Sequence, residues 1–134
     1  MWTCPACERQ FKTNNQSHTC TTKTLDDLFH DKPDHLVLAF DRVLNAVVHW
    51  EPNSVGVARH SVVFTNRKAW LIVKPMKKEL DLKFYHHQPL EGDALRKVSF
   101  SMGKYVHHIR INDEHQVGPE VLELLRQGYQ YAMN

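Results

Sequence analysis

Apolar residues recur along this chain at two different periods, and the change of period divides it. Leu36, Phe40, Val43, Leu44 and Val47 stand three and four positions apart. That spacing lines one side of an α-helix and predicts an amphipathic helix with a buried stripe. Asp31-Lys32-Pro33 reads as its start, with Pro33 expected at the first helical position, where a missing N–H costs nothing. Trp50 extends the stripe and Pro52-Asn53 ends it. From residue 55 the pattern shortens to that of strands. Val55-Gly56-Val57 and Ser61-Val62-Val63-Phe64-Thr65 are short and β-branched. Ala69-Trp70-Leu71-Ile72-Val73 is a continuous apolar run suited to a central strand. Glu79-Leu80-Asp81-Leu82-Lys83-Phe84 alternates strictly, which predicts one buried and one wet face. Lys97-Val98-Ser99-Phe100 and Tyr105 through Ile111 give two more strands around Met102-Gly103-Lys104. Gly118-Pro119 opens a closing helix whose inner face is expected to hold Val121, Leu122, Leu125, Tyr129 and Ala132.

Consecutive strands joined by short turns predict an antiparallel meander, because parallel strands need long crossovers that are missing here. The fold class expected is α+β: an antiparallel sheet of about five to six strands with two helices packed on one face. Before residue 25 there is little to bury. The chain therefore divides into a small N-terminal segment with its linker, 1–24, and an α+β domain, 25–134.

Composition narrows the class. The chain has 134 residues, 42% hydrophobic and 24% charged, with 5 glycines and 6 prolines. These values fit a globular chain with one core and exclude collagen-like and low-complexity classes. No run approaches the about 18 apolar residues of a membrane helix, and the N-terminus lacks the basic and apolar regions of a signal peptide. All 3 cysteines fall in the first 20 residues, unlike a secreted disulfide scaffold. The expected setting is reducing and cytoplasmic, without a membrane.

Those cysteines are the strongest chemical signal. Cys4-Pro5-Ala6-Cys7 is a Cys-x2-Cys pair, and His18 and Cys20 follow ten residues later. Four soft or borderline donors in two close pairs match tetrahedral zinc. So short a segment cannot bury enough surface to fold alone, and the metal would supply the missing free energy. With four protein ligands there is no open position, so the zinc would be structural. The single residue between His18 and Cys20 is tighter than the usual finger spacing. Three free thiols in a tail remain the alternative.

Here the residues carry a resemblance. Cys4-Pro5-x-Cys7-x-Arg9-x-Phe11 with Asn15-Gln16-x-His18-x-Cys20 resembles the zinc-knuckle extension fused to a bacterial domain-of-unknown-function family, numbered 5655. Glu8 stands where relatives commonly carry glycine. Residues 25–134 are similar to that domain in three stretches: Asp31-Lys32-Pro33, Ala69 to Val73 before a lysine-rich turn, and Tyr105 to Ile111 before the last helix. The resemblance implies an α+β domain and a zinc site. It implies no activity. Relatives fused to nuclease-like and transport-labelled proteins imply an accessory or binding role.

Net charge is only +2 over the whole chain, but it is unevenly spread. Residues 59–83 hold 7 Lys/Arg against 2 Asp/Glu, while 1–58 hold 5 against 7 and 84–134 hold 5 against 6. Arg67, Lys68, Lys74, Lys77, Lys78 and Lys83 form this basic stretch, with Trp70, Phe84 and Tyr85 interleaved. Hairpin turns are expected to gather the first five toward the sheet ends. Phosphates suit such a patch, and aromatics stack on unpaired bases. The plainer reading is that lysines solvate turns and protect sheet edges.

Four histidines form a second constellation. His86 and His87 follow the alternating strand, and His107 and His108 lie inside the last one. Neighbours on a strand face opposite ways, so one of each pair can meet across the sheet as a metal or proton-transfer site. The plainer reading is a half-buried sheet histidine with a local hydrogen bond, since no carboxylate is evidently placed to orient a ring. No phosphate-binding glycine loop, dinucleotide fingerprint or nucleophile elbow is present. The paired acids Asp26-Asp27 and Asp113-Glu114 read as caps and loop charges.

Three functions remain open. The leading one is a zinc-binding accessory module, its partner nucleic acid bound through the basic stretch. The second is a protein-interaction adaptor with no nucleic-acid affinity, and the third a histidine-dependent enzyme. The zinc reading has its own test. Elemental analysis of protein purified under reducing conditions should give close to one zinc per chain, and Cys20→Ser should lower it. Zinc-free wild-type protein would leave three free thiols instead.

Overall fold

The computed structural model describes residues 24–133, together with the backbone of residues 2–3 and 10–11. Strands β1 (Trp2–Thr3) and β2 (Gln10–Phe11) pair antiparallel, Trp2 opposite Phe11 and Thr3 opposite Gln10. The four zinc candidates Cys4, Cys7, His18 and Cys20 lie outside the described residues.

Helix α1 (Leu25–Phe29) starts the main domain. Thr24 and Asp27 cap it reciprocally. The Thr24 hydroxyl accepts from the Asp27 N–H at 3.2 Å, and Asp27 Oδ2 accepts from the Thr24 N–H at 3.0 Å. This satisfies two of the donors a helix start leaves open. Five residues are too few to show a 3.6-residue period, so apolar spacing does not reveal this helix. Helix α2 (Asp34–Val47) buries Leu36, Ala39, Phe40, Val43 and Val47. Pro33 is its N-cap, extended at ψ 150°, so the helix begins one residue later than the sequence predicts. The Pro33 carbonyl accepts from Leu36 N–H at 3.0 Å.

Six strands follow: β3 (Ser54–Val57), β4 (Val62–Thr65), β5 (Ala69–Pro75), β6 (Leu80–His86), β7 (Leu95–Ser101) and β8 (Lys104–Ile111). All neighbours are antiparallel, in the order β3-β4-β5-β6-β8-β7. The expected simple meander therefore holds only as far as β6. The β7–β8 hairpin docks by its second strand, and β7 becomes the edge. The reason is the faces they offer. β8 buries His107, Ile109 and Ile111, whereas β7 carries Arg96, Lys97, Ser99 and Ser101 and has no fully buried residue. A polar, lysine-bearing strand is suited to an unpaired edge.

Helix α3 (Pro119–Met133) closes the chain and lies against β5 and β6. It buries Val121, Leu124, Leu125, Gly128, Tyr129 and Ala132, with Leu122 only partly covered. α2 and α3 share one core with Val62, Phe64, Leu71, Val73, Leu80, Leu82, Phe84, Ile109 and Ile111. Alternation puts those strand residues on one sheet face. A register shift between β4 and β5 pairs Phe64 with Leu71 and Thr65 with Ala69, leaving Trp70 as the extra residue of a bulge. Both Trp70 and Leu71 are thereby fully buried, which strict alternation would forbid. Among the described residues no helix is long and apolar enough to cross a membrane.

Gly128 lets α3 approach the sheet. A Cβ there would sit 2.8 Å from Phe84 Cδ2 and 3.0 Å from Phe84 Cβ. Gly128→Ala should therefore lower stability by about 1–3 kcal/mol from overpacking, although alanine is the better helix former by about 1 kcal/mol. Urea unfolding followed by circular dichroism measures this, and an unchanged or raised midpoint would mean α3 has room to spare.

Candidate functional site

No described helix covers the second face of the sheet, and the strand registers assign its residues. Lys97 on β7 lies opposite His108 on β8, and His108 lies opposite Lys83 on β6. Lys83 is in turn opposite Ile72, and Ile72 opposite Val63. The adjoining row runs Arg110, Asp81, Lys74. On the other side Ser99 faces Val106 and Val106 faces Tyr85, and beyond them Ser101 faces Lys104. Side chains directly opposite sit about 4.5–5.5 Å apart at Cβ. The face is thus a compact field of cations among half-buried apolar residues. The Lys104 ammonium stands 4.1 Å from the centre of the Tyr85 ring.

Asp81 and Glu79 lie among the strand cations and both are engaged, while Lys74 at the margin also lines a cleft with Asp27 and Asp31. Asp81, only 8% exposed, takes Arg110 Nε at 2.6 Å on Oδ1. Its two oxygens also stand 3.1 and 3.0 Å from His108 Nδ1. Arg110 Nη1 reaches Glu79 Oε1 at 3.1 Å. A nearly buried carboxylate is costly unless paired and hydrogen-bonded, and this one is both. The Asp81 hydrogen bond, ahead of the contribution of Glu79, raises the Arg110 pKa above its ordinary value. Lys74, Lys83 and Lys97 make no ion pair with a described residue. The face therefore keeps a net positive field.

His108 Nδ1 faces the Asp81 carboxylate, which can only accept, so Nδ1 is the donor; in the neutral ring that places the lone pair on Nε2. That atom has no hydrogen-bond partner among the described residues, and the side chain is 22% exposed. A carboxylate that orients one ring nitrogen and leaves the other free is the arrangement that fixes a histidine tautomer.

The other three strand histidines lie on the helix-covered side. His107 is fully buried, stacked on Phe84 at 5.0 Å and 13°. Its Nε2 accepts from the Leu90 N–H at 2.9 Å. Its Nδ1 makes no hydrogen bond of good geometry, although the Tyr105 backbone lies near enough to favour the charged ring. Burial outweighs that and lowers the His107 pKa. His86 is buried and stacked on the exposed His87 at 4.4 Å, and its Nδ1 accepts from the Gln88 N–H at 3.2 Å. Burial first, then the neighbouring His87, lowers its pKa. His86 and His107 share a face and sit diagonally on paired strands, while His108 is separated from them by the sheet. Among the described residues no three His, Cys, Asp or Glu side chains gather as a metal site.

The basic stretch is divided. Arg67 and Lys68 occupy the β4–β5 turn, and Lys77 and Lys78 the β5–β6 turn. The seven residues of β5 separate these turns, a distance of about 20 Å at about 3.3 Å per residue. Lys68 lies instead over Tyr131 of α3, at 5.0 Å. Only Lys74 and Lys83 of the six belong to the open face. Lys97, Lys104 and Arg110 complete it, and their signal was the polar phase of β7 and β8, readable only with the register. A cleft of about 610 Å³ between α1 and the end of β5 is lined by His30, His60, Lys32, Lys74, Asp27 and Asp31. It contains none of the four strand histidines.

A family model described as a domain of unknown function (DUF5655) matches residues 25–132. No curated protein matches the chain, and no solved structure matches it.

The buried rings set a pH dependence. With native pKa values below the ordinary 6.5, the unfolded chain binds more protons than the folded one once pH falls below about 6.5. Stability is full above that value and is lost as pH falls from it through the lowered native values. Urea midpoints at about pH 7.5 and about pH 5.5 should differ, the acid one lower, and His107→Gln should shrink the difference. Equal midpoints would contradict the assignment of these rings as buried and neutral.

Proposed function

This chain belongs to the DUF5655 family, and from that premise we propose that it is a small zinc-holding accessory module that binds single-stranded nucleic acid on its open sheet face. One observation carries the reading. Lys74, Lys83, Lys97, Lys104 and Arg110 share that face, and the two acids among them are tied internally to Arg110 and His108. Lys74, Lys83 and Lys97 make no ion pair with a described residue, and such ammonium groups attract phosphates and release counterions when they bind. A sheet with one aromatic ring, Tyr85, and apolar side chains between its cations suits unstacked bases, which offer a ring face whatever their sequence. Double-stranded partners fit less well, since neither a helix nor a protruding ribbon on this face is shaped to enter a groove.

Cys4, Cys7, His18 and Cys20 are the residues that would hold the zinc. Three thiolates and one imidazole suit tetrahedral zinc by donor chemistry. The antiparallel β1–β2 pair flanks residues 4–9 and so brackets Cys4 and Cys7 in the sequence, which supports a knuckle there. A structural zinc would order this segment and take no part in binding chemistry. Cysteines confined to the metal site fit a cytoplasmic, reducing compartment.

A protein partner is the second reading, and one observation favours it. Val98, Phe100 and Met102 on the β7 edge and its turn are 37%, 64% and 95% exposed.

Fluorescence anisotropy with a labelled single-stranded oligonucleotide distinguishes the two. Binding should weaken linearly in log–log terms as salt rises, and Lys83→Ala with Lys97→Ala should reduce the slope by about 1.4, at about 0.7 per phosphate contact on single strands. Lys77→Ala with Lys78→Ala should change it much less, and Phe100→Ala with Met102→Ala should leave it alone. Full affinity in the Lys83/Lys97 double variant would remove the open face from the reading.

A further inference from the structure

We propose that the open face is also a metal-free RNA-cleaving site, with His108 as its general base. This rests on the reading of the face as a nucleic-acid surface and goes beyond it, from holding the strand to cutting it. Three observations converge. Asp81 fixes His108 through Nδ1 and leaves Nε2 without a hydrogen-bond partner among the described residues, on a side chain 22% exposed. Lys83 and Lys97 stand directly opposite His108 on the two flanking strands, so one cross-strand row reads Lys97, His108, Lys83. Neither lysine has an acidic partner among the described residues. A phosphodiester drawn to those two ammonium groups is brought to His108 Nε2, an imidazole nitrogen with no hydrogen-bond partner among the described residues.

RNA suits this constellation because its nucleophile is built into the substrate. His108 Nε2 takes the proton of a ribose 2′-hydroxyl. The 2′-oxygen forms a bond to the adjacent phosphorus, and the bond from phosphorus to the 5′-oxygen breaks. The leaving oxygen takes a proton from the ammonium of Lys83 or Lys97, and the imidazolium returns its proton to that lysine through solvent. The products are a 2′,3′-cyclic phosphate and a 5′-hydroxyl end. No metal, oxidant or further reactant is consumed. The lysines stabilise the charge that grows on the phosphoryl oxygens. Asp81 is a positioning residue: it touches no substrate and acts by holding the ring and its tautomer. Glu79 and Arg110 secure Asp81 in turn.

The test uses the full chain in excess over a labelled DNA strand carrying a single ribonucleotide, without added divalent metal. Protein concentration is set to saturate binding by anisotropy, so the rate reports chemistry alone. Wild type should cut at the ribonucleotide and leave a cyclic phosphate end, and the all-deoxy strand should stay intact. His108→Gln should slow cleavage at saturation by about 100-fold or more, the usual scale of general-base loss. Asp81→Asn should lower the saturated rate more than the half-saturating concentration, and Asp81→Glu should recover part of it. Intact RNA on saturated wild-type protein would overturn the inference and leave the binding reading in place. Cutting at the wild-type rate by His108→Gln, or cutting of the all-deoxy strand, would overturn it as well. Failure of wild type to bind the strand would remove both.

Discussion

The pairing of β6 with β8 governs both the core and the open face. Leu80 opposite Ile111, Leu82 opposite Ile109 and Phe84 opposite His107 lie under the helices, and the residues between them lie on the other side. Because the period along a strand is two, slipping this register by one residue would exchange the faces. Asp81 would then enter the core against α3, and Leu82 would meet water. The cost of that exchange fixes the register, and the register in turn places Asp81 beside both His108 and Arg110. The polar network is therefore a consequence of hydrophobic burial on the opposite face. The same holds for the row Lys97, His108, Lys83, which no short-range contact would assemble.

α3 holds that arrangement from behind. Its Gly128 sits against Phe84, and one turn of side chains around Tyr129 joins three separate parts of the chain. The Tyr129 hydroxyl donates to the Pro52 carbonyl at 2.8 Å, and its ring meets Trp70 edge-on at 5.2 Å. Trp70 donates to Asn53 Oδ1 at 3.1 Å, and Asn53 reaches the Val47 carbonyl at the end of α2 at 2.9 Å. The β5 bulge makes this possible by turning Trp70 toward the helices alongside Leu71. A buried indole and phenol with satisfied polar ends lock orientation as well as adding apolar area. The central strands of the sheet that carries the open face are thus tied to both helices, and β7 is left as a polar edge on that side.

Much of the fold was legible because it rests on periodicity. The stripe from Leu36 to Val47, the alternation from Glu79 to Phe84 and the Gly118-Pro119 start all speak locally. What was hidden depends on partners distant in sequence. The place of β8 between β6 and β7 follows from comparing the buried phases of two strands, not from either alone. α1 is too short for a period, though Thr24 and Asp27 carry its cap. The site was less legible still. Segment charge pointed to residues 59–83, but a sheet face draws one residue in two from several strands. Lys97, Lys104 and Arg110 come from a segment that is net acidic, while Arg67, Lys68, Lys77 and Lys78 go to turns at opposite sheet ends. His108 lacked an orienting carboxylate in any sequence window because Asp81 is 27 positions away.

The division of labour that we propose for this face follows from side-chain stiffness. Lysines are long, rich in rotamers and weakly restrained, so they tolerate a strand of varied sequence and path. They supply field without fixing a position. Asp81 does the reverse. Nearly buried and held by Arg110 from one side, it presents its remaining acceptor capacity to His108 from a fixed place. Binding a polyanion needs only the first kind of group, and lysines alone on a wet sheet would suffice for it. An imidazole locked by a nearly buried carboxylate, itself locked by a guanidinium and a second acid, adds nothing to a diffuse field. Its value lies in holding one nitrogen still among mobile charges. Chemistry on a bound strand requires such a fixed atom and simple attraction does not, which is why the network around Asp81 points past binding.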